Sequence, residues 1–108
     1  MDRAGVIIVD ASRRISVITP AAEELLGWGS EVGGQACSSV LDCHDPEGGS
    51  LCGQCGIGAS FKRQELIPAE IVDVALAAGG RRRVRMSFWY LPPEGHIYEP
   101  RVMAILHD

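Results

Sequence analysis

Arg82-Arg83-Val84-Arg85-Met86-Ser87-Phe88-Trp89-Tyr90-Leu91 alternates without a break, with Val84, Met86, Phe88 and Tyr90 on one side and Arg83, Arg85, Ser87 and Trp89 on the other. A period of two is the signature of a half-buried strand, so one face of this segment goes into a core and the other stays at least partly wet. Immediately upstream, Gly79-Gly80 forms a hairpin-type turn that closes a loosely alternating segment from Pro68 to Ala78. Downstream, Pro92-Pro93-Glu94-Gly95 is a turn. Tyr98 to His107 then reads as the last strand, with Val102, Ala104 and Leu106 on one face and Met103 and Ile105 on the other.

The N-terminal half supplies two more strands. Gly5 to Asp10 is a β-branched run ended by a turn-former, and Arg14 to Thr19 is a second, with Ile15, Val17 and Thr19 expected on one face. Thr19-Pro20 sets a capping hydroxyl before a proline at the first helical position, and Gly27 stops the helix that follows. Its Ala22, Leu25 and Leu26 are expected in the core. Residues from Gly29 to Ser60 are rich in Gly and Ser and read as short helical turns around an irregular loop. A short helix is expected over Cys55 to Arg63, with Ile57 and Phe61 facing inward. Two strands, short helices and three further strands make an α+β domain built on one antiparallel sheet.

A chain of 108 residues suits one domain, so residues 1–108 are read as a single unit. Apolar residues at 46% and charged residues at 22% exclude a disordered tail and a membrane span. Ten basic residues against fourteen acidic give a net charge of −4, which lacks the basic excess that direct nucleic-acid binding requires. The start Met-Asp-Arg shows no secretory or transit signal, which points to the cytoplasm. Neither His96 nor His107 has a spacing to Ser, Cys or a carboxylate that suggests a catalytic triad, so the chain is not read as an enzyme. The basic run Arg81-Arg82-Arg83 with Arg85 is read as the solvated face of the fourth strand.

The order of elements, with Gly5-Val-Ile-Ile-Val-Asp10, Arg14-Ile15, Thr19-Pro20-Ala21-Ala22, Leu25-Leu26-Gly27-Trp28, Val32-Gly33-Gly34 and Ile105-Leu106-His107-Asp108, resembles a PAS domain. PAS domains are small sensory modules of bacterial kinases, regulators and chemoreceptors. The resemblance implies a five-stranded antiparallel sheet in the order 2-1-5-4-3, with short helices on one face enclosing a ligand pocket. It also implies an effector domain, a kinase or transcription regulator, in a longer chain; separately, a homodimer through the exposed sheet face around Trp89 is an expectation. The pattern departs from the family at Thr19, where Asn is usual, although either residue can accept the capping hydrogen bond.

All four cysteines, Cys37, Cys43, Cys52 and Cys55, fall within nineteen residues, with Asp42, His44, Asp45 and Glu47 among them. Four thiolates so close in sequence can converge on one soft centre. The irregular spacing, with only one short Cys-x2-Cys pair, favours an iron–sulfur cluster of the [4Fe–4S] type over structural zinc. The pattern also resembles that of iron–sulfur PAS domains, which implies that these cysteines bind a cluster sensing redox state, oxygen or nitric oxide. Zinc and a thiol–disulfide switch remain the alternatives.

Overall fold

The computed structural model of the protein describes residues 4–51 and 55–107. Five strands, β1 (Gly5–Val9), β2 (Ile15–Ile18), β3 (Ile67–Ala75), β4 (Arg81–Leu91) and β5 (Arg101–His107), form one sheet in the order β2-β1-β5-β4-β3. Every pairing is antiparallel. The first and last strands lie side by side, with Gly5 opposite Leu106 and Val9 opposite Val102. This is the sheet order that the resemblance implies.

Between β2 and β3 run α1 (Pro20–Leu26), a single 3-10 turn at Ser30–Val32, α2 (Cys37–Val40) and α3 (Gly56–Arg63). Their buried residues Ala22, Leu26, Val32, Val40 and Ile57 join Val84, Met86 and Phe88 of β4 and Val102, Ala104 and Leu106 of β5 in one core. The strict alternation of β4 therefore does what a period of two requires, burying one face under the helices. On the other face Trp89 and Ile71 remain 43% and 46% exposed.

Local chemistry fixes the joints. Asp10 accepts hydrogen bonds at Oδ1 from the backbone N–H groups of Ser12 (2.9 Å) and Arg14 (3.0 Å), which closes the turn between β1 and β2. The Thr19 hydroxyl oxygen accepts from Ala22 N–H at the start of α1 (3.4 Å) and from Val6 N–H of β1 (3.0 Å). One side chain thus caps the helix and ties it to the sheet. At the other end Gly27 adopts φ 78°, and its N–H donates to the Glu23 carbonyl at 2.7 Å.

Two details differ from the reading of the sequence. The alternation puts Val17 on the same face as Ile15, yet Ile15 is buried and Val17 is 43% exposed. A bulge shifts the register between Ile8 and Val9, so that Val17 faces Ile8 while Ile15 faces Val9, and the two residues take opposite faces of the edge strand. The last strand begins at Arg101 rather than at Tyr98. Pro100, which has no N–H to give to a ladder, precedes it.

The close approach of α3 to β4 depends on one glycine. A methyl group on Gly56 would fall onto the ring of the buried Phe88, whereas one on Gly58 would meet nothing within 4 Å. Gly56→Ala is expected to destabilise the fold by about 1–3 kcal/mol, as overpacking does. Gly58→Ala, in the same helix, is expected to stabilise it by about 0.5–1 kcal/mol through helix propensity. Urea denaturation of the two variants reads both effects; equal midpoints would contradict the packing described here.

Candidate functional site

A cavity of about 270 Å³ opens between the β1–β2 turn, α2 and the first turn of α3. Among the described residues it is lined by Arg13, Cys37, Ser38, Leu41, Cys43, Cys55, Ile57 and Gly58. Leu41 and Ile57 are buried and give it apolar walls. Cys37 opens α2 and Cys55 precedes α3 as its N-cap, its side chain making no capping hydrogen bond. The backbone N–H of Cys37 donates to the Arg13 carbonyl at 2.8 Å, which ties the turn to α2.

This arrangement corrects the metal reading. Among the described residues no group of three or more His, Cys, Asp or Glu side chains is placed to hold a metal ion. The iron–sulfur cluster, and with it redox, oxygen or nitric oxide sensing, is not supported, and neither is the zinc alternative. Cys37 and Cys43 are absorbed into the hydrophobic core, where a thiol behaves as a small apolar side chain. The neighbouring oxygen and nitrogen donors are engaged elsewhere. Asp42 and His44 turn to Arg81, and Asp45 closes its own turn by accepting from Glu47 N–H (2.8 Å) and Gly49 N–H (3.0 Å). No disulfide joins Cys37, Cys43 or Cys55, so the thiol–disulfide switch is likewise unsupported. Cys52 lies outside the described residues. Nearness in sequence brings the three described cysteines to one cavity without making them a ligand set.

A polar clamp secures the loop that carries Cys43. His44 and Asp73 of β3 exchange backbone hydrogen bonds of 2.8 Å in both directions, and Leu51 N–H donates to the Cys43 carbonyl at 2.8 Å. Arg81 Nη2 donates to Asp42 Oδ2 at 2.6 Å and lies 3.0 Å from His44 Nε2, while its Nη1 donates to the Asp42 carbonyl at 2.6 Å. Arg83 grips Asp73 through Nε (2.9 Å) and Nη2 (3.2 Å) and donates to the Pro46 carbonyl at 3.1 Å. Hydrogen bonding from Arg81 holds the Asp42 carboxyl below the usual carboxylate range, and hydrogen bonding from Arg83 does the same for Asp73. Two arginines of the basic run are thus working parts of the clamp rather than a bare solvated face.

Nothing in the sequence marks Arg13 as a residue of the cavity, since a turn residue carries no periodicity. Its guanidinium lies over the ring of Phe61 on α3, 4.1 Å from the centroid, so the mouth is bordered by a cation–π pair.

Comparison with known proteins bears on the fold. No family model and no curated protein matches the chain. Solved structures do. A PAS domain from Colwellia psychrerythraea superposes with a TM-score of 0.74 at 13% identity, covering 97% of this chain and 85% of that one. The chain has the PAS fold. The PAS domain of nitrogen regulation protein NR(II) from Vibrio parahaemolyticus gives a TM-score of 0.72 at 13% identity, covering 97% and 89%. A domain of a sensory box sensor histidine kinase/response regulator from Geobacter sulfurreducens gives 0.68 at 21% identity, covering 97% and 82%. At these identities the likeness is one of PAS architecture, and the cavity's chemistry has to be read from this chain's own residues.

Because the Asp42 carboxyl is held below its ordinary value of 3.8, its ion pair with Arg81 stabilises the fold above that pH and is lost as the pH falls through the lowered value. Asp42→Asn is therefore expected to lower Tm by a few degrees at pH 7, and the difference from wild type should begin to shrink near pH 3.8 and close once the pH is below the lowered value. Thermal unfolding followed by circular dichroism from pH 7 to pH 2 checks it. A gap that stays constant across that range would rule out the ion pair as its source.

Proposed function

We propose that this PAS domain is the sensory module of a longer signalling protein, and that it reads a small, mostly apolar ligand in the cavity beneath α2 and α3. The observation that carries the proposal is the cavity itself. Leu41 and Ile57 form its apolar wall, three thiols add polarizable surface, and a few polar groups stand at its border. Its volume of about 270 Å³ lies just below the ~300–1,000 Å³ range of sites for drug-sized molecules, which suits a single ring or a short chain rather than a flavin.

The function proposed is sensory, not catalytic. Solved neighbours include a PAS domain from a two-component sensor histidine kinase and a LOV domain from a blue-light activated histidine kinase. By analogy residues 1–108 act here as one input unit, in the cytoplasm, joined to an effector domain. No helix among the described residues is long and apolar enough to cross a membrane. The effector is proposed to couple through the outer face of the sheet, where Trp89 and Ile71 are exposed, with pairing of two copies as the alternative use of that face. A ligand that fills the cavity presses on α3, and α3 packs on β4, the strand that carries both Phe88 inward and Trp89 outward.

Indole, a neutral single-ligand probe, tests the cavity. A ligand that binds only the folded state raises Tm with concentration. Wild type is expected to show such a rise, and Ser38→Trp, on the exposed side of α2 at the cavity border, is expected to abolish it. No rise in wild type, or an equal rise in the variant, would overturn the proposal.

A further inference from the structure

Among the described residues the cavity has one charged side chain on its border, and none of them gives that charge a countercharge. Arg13 is the only ionisable side chain other than the thiols among the described lining residues. Among the described residues it makes no ion pair: its side-chain contacts are the Phe61 ring at 4.1 Å and a long 3.5 Å approach to the Ala11 carbonyl. Arg81 and Arg83, by contrast, each hold a carboxylate. The carboxylate closest to Arg13 in sequence, Asp10, is committed to the amides of Ser12 and Arg14. Asp42 is held by Arg81, and Asp45 by its own turn.

The backbone makes the same point. Arg13 has φ 66°, in the left-handed region that a bulky side chain seldom occupies. Such conformations persist where the surroundings over-determine them, and they gather at ligand clamps. Here the Arg13 carbonyl is fixed by Cys37 N–H at 2.8 Å, and the guanidinium is fixed by Phe61. The result is a pre-positioned fork of N–H donors beside an apolar hollow. A guanidinium matches a carboxylate in planarity and donor spacing, and an exposed one at the edge of an apolar hollow can take such a partner while the partner's apolar body is buried.

We infer that the ligand is a small carboxylic acid with an apolar body, a single ring or short chain that sits against Leu41 and Ile57 while its carboxylate pairs with Arg13 at the mouth. Ser38, whose side chain borders the same opening, supplies a hydroxyl donor beside it. This inference rests on the cavity reading above and adds the chemical class of the occupant.

Calorimetric titration with three probes of one shape separates the two ideas: 3-phenylpropanoate, 3-phenylpropanol and 3-phenylpropylamine. The carboxylate is expected to bind wild type about tenfold or more tighter than the alcohol, as a charge-assisted hydrogen bond provides, and the amine weakest of all. Arg13→Gln is expected to remove the carboxylate's advantage and leave the alcohol unchanged, and Arg13→Lys to keep part of it. If the Gln variant does not fold, Arg13→Gly, which suits a φ of 66°, replaces it. Equal binding of carboxylate and alcohol, or an advantage that survives loss of Arg13, would overturn the inference and leave the cavity reading standing. Tightest binding of the amine would overturn the inference as well. Binding of none of the three would overturn both.

Discussion

Everything near the cavity depends on how closely the first turn of α3 can approach the sheet. Gly56 lies against the ring of Phe88 with no room for a side chain, and that contact sets the height of the whole helix above β4. With the helix at that height, Ile57 is buried and becomes a wall of the cavity, Cys55 stands at its border, and Phe61 comes within reach of Arg13 across the opening. A helix lifted by one methyl group would disturb all three, because interiors are packed too densely to absorb the difference locally. The same contact joins the helix that borders the cavity directly to β4.

A second constraint acts from the opposite side. The loop after α2 has to hold Leu41 and Cys43 against the core while its own polar residues face water. Backbone exchange between His44 and Asp73, together with the grips of Arg81 on Asp42 and Arg83 on Asp73, achieves this from the strands β3 and β4. Each exposed ion pair is weak by itself. Joined to the backbone bonds they pin a segment that would otherwise have few reasons to stay in place, and they do so from the edge of the sheet, leaving the cavity mouth to Arg13 and Ser38.

Much of the fold was legible in the sequence. The alternation from Val84 to Tyr90, the Thr19-Pro20 cap and the Gly79-Gly80 turn are local signals, and each corresponds to what the chain does. The sheet order came from resemblance, since no periodicity reveals that β1 pairs with β5. What local signals could not carry was the outcome of competition. The bulge after Ile8 sent Val17 outward although its sequence pattern matched Ile15. The cysteine cluster points to a metal centre in sequence, but not among the described residues of the fold, for a similar reason. Spacing in sequence says that thiols can meet, not that they will prefer an ion to the core, and Asp42 and His44, which read as fellow donors, were claimed by an arginine thirty-nine and thirty-seven residues away. Arg13 carries no sequence signal because its place beside the cavity arises only when α3 is folded down beside its turn.

The sensing proposed for this domain of PAS fold, through the hollow beneath α2 and α3, can be checked by nuclear magnetic resonance on protein carrying 13C-labelled isoleucine and leucine methyl groups. With 3-phenylpropanoate bound, intermolecular Overhauser effects from the ring protons are expected to the methyls of Leu41 and Ile57. Effects to the methyls of Ile71 and Ile105 on the outer face of the sheet instead, with none to Leu41 or Ile57, would place the ligand on the wrong side of the molecule and contradict the account.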